Sequence, residues 1–140
     1  MKKIITSLFI VLSLVSFSQT KRQIKVDSLK LAAKNSKDDV ELINILRQLD
    51  NIIYVSNPQL DIDLLKRIKA VCNKNLTLNI SDKKREFFEK ELNFARNDLG
   101  IVYLNKSKFE MALEEHFKVV KYNSKHQNLK RLASDYNNIG

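Results

Sequence analysis

Two glycines and one proline are all the backbone punctuation this chain of 140 residues contains. Sheets, sandwiches and barrels need turn residues at close intervals, so so few breakers exclude an all-β fold. What stands between them is rich in Leu, Ile, Lys, Asn and Glu, with 44% hydrophobic residues, enough to form a core and too many for a disordered tail. The apolar residues recur at steps of three and four, the period of helices that bury one face. The expected class is all-α.

The two glycines are themselves a pattern. Each ends the same kind of tetrapeptide, Asn97-Asp98-Leu99-Gly100 and Asn137-Asn138-Ile139-Gly140, a period of 40 residues. Glycine inside a helix costs about 1 kcal/mol relative to alanine, so a glycine in an apolar stripe needs a compensating reason. Close approach of a facing helix supplies one, with Leu99 or Ile139 filling the space beside it.

Six segments read as helices. Residues 19–36 form a lead-in with a weak helix at 27–35, with Leu29, Ala32 and Ala33 on one side. Asp38 or Asp39 caps the next, which carries Leu42, Ile45, Leu46, Leu49, Ile52 and Ile53 and runs to about Val55. Asn57-Pro58 suits an N-cap followed by the first helical position, where proline loses no hydrogen bond. That helix shows Leu64, Leu65, Ile68, Val71 and Cys72 on one face, so residues 37–75 are expected to close as an antiparallel hairpin across Ser56-Asn57. Leu76 to Ile80 alternates like a short strand but has no partner strand, and is read as a connector. Ser81 or Asp82 caps a long helix with the stripe Phe88, Leu92, Ala95, Leu99 and Val102, ending near Asn105. A fifth presents Phe109, Ala112, Leu113, His116, Phe117 and Val120, and a sixth starts near Gln127 with Leu129, Leu132, Ala133, Tyr136 and Ile139.

The stretch Asn-Asp-Leu-Gly-Ile-Val-Tyr at 97–103, followed by Phe109, Ala112-Leu113 and Phe117, resembles a tetratricopeptide repeat. Leu99, Gly100, Tyr103 and Ala112 fall in the family's order and spacing, and Tyr136 to Gly140 looks like the opening of the next repeat, so 81–140 is expected to hold one repeat and the first helix of another. The departures are a period of 40 against the usual repeat of about 34 residues, Arg96 where an aromatic is common, and no proline after the second helix. Residues 42–72 are similar to a degenerate repeat, with Asp50 and Ile62 where its glycine and alanine would fall. The resemblance implies antiparallel helical hairpins stacked as a short solenoid, held by Leu99, Gly100, Tyr103, Ala112, Phe117, Ile139 and Gly140. It also implies a partner-binding groove lined by the first helix of each repeat, at Asn97, Ile101, Leu104, Asn105 and Asn137. The plainer alternative has Ile101 and Leu104 packing on the next helix. The lysine and asparagine pattern that clamps a peptide's terminal carboxylate in some members is not evident.

The first segment bears on compartment. Met1-Lys2-Lys3 and the uncharged run Ile4 to Phe17 read as a signal peptide over 1–18, too short for an ordinary span of about 20 residues, with Ser16-Phe17-Ser18 as the cleavage pattern. An uncleaved anchor is the alternative. Loss of Lys2 and Lys3 lowers the net charge from +9 to +7. An exported chain with basic and acidic residues intermixed uses this charge for solubility, and no nucleic-acid partner is expected. The strip Lys118, Lys121 and Lys125 lacks the interleaved aromatics of a nucleic-acid platform. Asn75-Leu76-Thr77, Asn79-Ile80-Ser81 and Asn105-Lys106-Ser107 match a glycosylation triplet, as Asn-rich chains do by chance.

Catalytic chemistry does not assemble. His116 and His126 are the only histidines and Cys72 the only cysteine, so no disulfide, metal cluster or cofactor is expected; Cys72 reads as a small buried hydrophobe and His116 as a core residue. Glu110, Glu114 and Glu115 read as a solvated face, with Glu114 four residues before Lys118 in the order that favours an ion pair. The expected function is an exported, non-catalytic, periplasmic or secreted scaffold that binds a protein or peptide. The rival is the input region of a truncated signalling protein such as a histidine kinase or transcriptional regulator, because the whole resembles the exported front of long Bacteroidetes-type repeat proteins and stops inside a repeat. Membrane contact is expected only through the leader or a segment beyond Gly140.

Overall fold

A computed structural model describes residues 21–139. The leader expected at 1–18 and Gly140 lie outside the described residues, which contain helices and turns and no strand. Among them no helix is long and apolar enough to cross a membrane. The chain divides into two compact units, one reaching to Ile52 and the other beginning at Ile53. The hairpin expected at 37–75 therefore falls on both, its first helix in one unit and its second in the other.

In the first unit, helix α1 occupies 21–35 and α2 runs Asp39–Ile53. The described part of α1 starts six residues before the weak helix read from sequence, helped by a Gln23 to Asp27 hydrogen bond of 2.9 Å across one turn. Its buried residues are Val26 and Ala33, seven apart on one face, whereas Ala32 is exposed. Asp38 is the residue that caps α2: its Oδ1 accepts from the Glu41 amide at 2.8 Å. Ile43, Leu46 and Leu49 are the most deeply buried residues of α2. Arg22 donates to the carbonyl of Ile52, tying the start of α1 to the end of α2.

The second unit holds α3 (Pro58–Leu76), α4 (Asp82–Asn105), α5 (Phe109–Lys125) and α6 (Leu129–Asn137). Asn57 caps α3 as expected, accepting from the Leu60 amide at 3.1 Å with Pro58 in the first turn. At α4 the N-cap is Ser81, but its side chain makes no capping bond. Arg85 does the local closing instead, donating from its two terminal nitrogens to the carbonyls of Leu76 and Leu78, each at 3.3 Å, where α3 ends. Leu76 to Ile80 is thus the end of α3 and a connector, without strand character.

The turns after α4 and α5 are the same device used twice. Ser107 and Gln127 take left-handed backbone angles, with φ of 55° and 52°. The following amides reach five residues back, Lys108 to the Tyr103 carbonyl at 2.8 Å and Asn128 to the Asn123 carbonyl at 2.9 Å. This satisfies carbonyls that a helix end leaves open and reverses the chain within three residues.

Each helix of this unit packs on the next in sequence. Gly100 faces His116, while Glu89, eleven residues earlier, faces His126, so α4 and α5 run antiparallel. Helices two apart also meet: Lys69 of α3 pairs with Glu115 of α5, and Arg131 of α6 lies over the Phe94 ring of α4 at 4.7 Å. The core between them is Phe88, Leu92, Ala95, Leu99 and Tyr103 from α4 with Ala112 and Val119 from α5.

Phe117 departs from its expected place in the packing. It is 57% exposed, and Phe109 is exposed as well. The residue that turns inward is its neighbour His116, 1% exposed. His116 stands four residues after Ala112, and the inward face of α5 runs through it rather than one residue later through Phe117.

Candidate binding cleft

Helices α4, α5 and α6 converge on a cleft of about 250 Å³. From α4 it is lined by Asn93, Phe94 and Asn97, from α5 by Val119 and Asn123, and from α6 by Arg131, Ser134 and Asp135. A wider recess of about 500 Å³ shares Asn93, Asn123 and Arg131 and continues past Lys90, Tyr122 and His126. The floor is polar and buried: Asn93 is 3% exposed, Asn123 1% and Asp135 5%. The Asn123 amide donates to the Asp135 carboxylate at 2.6 Å, whereas Oδ1 of Asn93 and Oδ1 of Asn123 are buried without a hydrogen-bond partner. Buried polar atoms are nearly always satisfied; Nε of Arg96, Oε2 of Glu115 and Nε2 of His116 are also buried without a partner but do not line the cleft, whereas these two acceptors share its floor.

Of the groove residues expected from the resemblance, the cleft brings in Asn97 alone. Its Oδ1 accepts from the Asn138 amide at 3.3 Å, joining α4 to the C-cap of α6. Ile101 is 41% exposed, Leu104 half-buried, and Asn105 and Asn137 exposed, and none of these lines the cleft. Leu99, Gly100, Tyr103 and Ala112 are buried as packing residues and Ile139 is half-buried. Sequence reading passed over Asn93, Asn123 and Asp135. One signal was legible: Asn123 continues the apolar stripe of α5 one turn beyond Val119 and Val120, a position where a polar residue is either buried or out of place.

The electrostatics follow burial. Desolvation lowers the His116 pKa below its usual 6.5, opposed by the charges of Asp135 and Glu115. Burial raises the Tyr122 hydroxyl, with Glu89 and Glu86 adding to the effect and Arg131 opposing it. His126 stacks on Tyr122 with ring centres 4.2 Å apart, and its Nε2 lies 3.7 Å from Glu89. On the outer face of α5, Lys118 pairs with Glu114 at 2.5 Å, as their spacing predicts, and this bond holds the Glu114 pKa down. Among the described residues no group of three or more His, Cys, Asp or Glu gathers as a metal site.

These residues define an all-α protein with a polar cleft where its last three described helices meet. Compared with known proteins, the chain matches no family model, no curated protein and no solved structure.

Proposed function

We propose that the chain is a non-catalytic helical-repeat scaffold of tetratricopeptide type that binds a peptide segment of a partner protein in the cleft between α4, α5 and α6. The observation that carries this reading is the cleft's make-up. Buried amides that both donate and accept line its floor, and an aromatic ring under a guanidinium stands at its rim. Primary amides match the alternating donors and acceptors of a peptide main chain, and an aromatic rim shields such bonds from water. The repeat reading draws support from the alternate meeting of α3 with α5 and of α4 with α6, and from the bare Gly100 under a ring of the facing helix. Under the same proposal the leader places this binding in the periplasm or outside the cell.

Selection of a displayed random-peptide library on the immobilised chain tests the reading. Enriched peptides are expected to bind Arg131→Ala and Asn97→Ala at least about tenfold more weakly, the loss of one or two good polar contacts. They are expected to bind Phe117→Ala, altered on the exposed face of α5, as they bind the parent. No enrichment, or equal binding to the cleft variants, would overturn the proposal.

A further inference from the structure

The floor of the cleft holds a negative charge that the protein leaves without a cation. The Asp135 carboxylate is 5% exposed, and among the described residues its one donor is the neutral amide of Asn123. Arg131, one turn earlier on α6 and in the lining of the same cleft, carries its guanidinium over the Phe94 ring instead. His116, which feels the Asp135 charge, is held toward its neutral form by burial. A buried carboxylate is expensive to desolvate unless a cation or several donors answer it.

The two open acceptors point to what answers it. A carboxylate only accepts, so Asn123 must turn its Nδ2 toward Asp135, and its Oδ1 is thereby fixed as an unpartnered acceptor. Asn93 Oδ1 is the second. Two amide oxygens and one carboxylate repel an anion. They offer a single carboxylate and no imidazole or thiolate to a transition metal. They do match the three N–H donors of a primary ammonium group.

Resting on the peptide-binding reading above, we propose that the cleft is a primary-ammonium pocket, taking a lysine side chain or the terminal amine of the partner peptide against Asp135, Asn93 and Asn123. The alkyl stem of a lysine would lie along Val119 and Phe94 at the cleft wall, and Arg131, stacked on that ring, would flank the mouth. An arginine fits less well, because a planar fork asks for acceptors in one plane and a second guanidinium would crowd Arg131.

The test uses small probes on the full chain, so it does not depend on finding the partner. Side-chain amide signals of Asn93 and Asn123 are followed by NMR during titration with n-butylammonium, and with n-butanol as its uncharged counterpart. Saturable shifts with n-butylammonium and none with n-butanol are expected, and Asp135→Asn is expected to weaken the response at least about tenfold. Nα-acetyl-lysine methylamide and glycinamide then separate the two sources: the first carries only a side-chain ammonium, the second only a terminal one. A helical spectrum equal to the parent's shows that Asp135→Asn is folded. Should that variant not fold, Asn93→Leu is used instead, with the same loss expected. Equal shifts with n-butanol, shifts that survive both substitutions, or no response to any ammonium would overturn the proposal. Peptide selection dependent on Arg131 and Asn97 would stand even then, so failure here and failure of the peptide-binding reading are distinct.

Discussion

The imidazole of His116 lies so close over the backbone of Gly100 that a Cβ there would come within 2.5 Å of its Cε1 and Nε2 and 2.9 Å of its Cδ2. Atoms do not approach that closely, so residue 100 is bare because a ring from α5 occupies the space where its side chain would stand. His116 is 1% exposed and has no open side to retreat into. Two residues 16 positions apart thereby set how near α4 and α5 lie.

Gly100→Ala tests this contact. The variant gains about 1 kcal/mol of helix propensity, but overpacking a close-packed site costs about 1 to 3 kcal/mol, so a net loss of up to about 2 kcal/mol is expected. Gly100→Leu should lose more. With the ring removed by His116→Ala, the same Gly100→Ala change should become neutral or stabilising, a coupling that denaturant melts of the four proteins would read directly. Equal costs in both backgrounds would show that the ring is not the obstacle.

Burial also makes His116 a source of acid sensitivity. Its folded pKa lies below the unfolded 6.5, so the unfolded chain takes up its proton first. Its contribution to stability is complete above pH 6.5 and is lost as the pH falls from there through the depressed folded value. His116→Phe removes this proton and leaves His126 in place. Stability measured from pH 8 to pH 5 should fall less steeply for the variant than for the parent, and parallel curves would sink the assignment.

Ser107 and Gln127 hold left-handed angles that a Cβ disfavours by about 1 to 2 kcal/mol, in turns where glycine is the usual residue. Ser107→Gly and Gln127→Gly are each expected to stabilise the chain by about 0.5 to 1 kcal/mol, since glycine's greater freedom when unfolded offsets part of the relief. Thermal melts decide it, with an unchanged or lower midpoint for both as the contrary result.

The one-residue register of α5 has its own test. Phe117 is 57% exposed, and Phe117→Ser should shift stability by no more than about 0.5 kcal/mol. Val119, buried against α4, should lose about 1 to 3 kcal/mol as Val119→Ala. A large loss at Phe117 would return the inward face to the register read from sequence.

What the sequence determined by itself is local. The steps of three and four located the helices, Asn57-Pro58 marked the start of α3, and Glu114 and Lys118 found each other, because each depends on residues within one or two turns. Even the scarcity of glycine was informative, since it exposed residue 100 as a place of close approach. Which ring would approach it was decided only in three dimensions: neighbouring residues on a helix point about 100° apart, and both His116 and Phe117 suit an apolar stripe until α4 takes up its position. The cleft lay further out of reach. Asn93, Asn123 and Asp135 read as ordinary polar residues on three separate helices, and their burial on one floor arises where those helices converge. An uncompensated carboxylate is a property of that meeting, because burial and the absence of a counter-charge belong to the surroundings of a side chain and not to its identity.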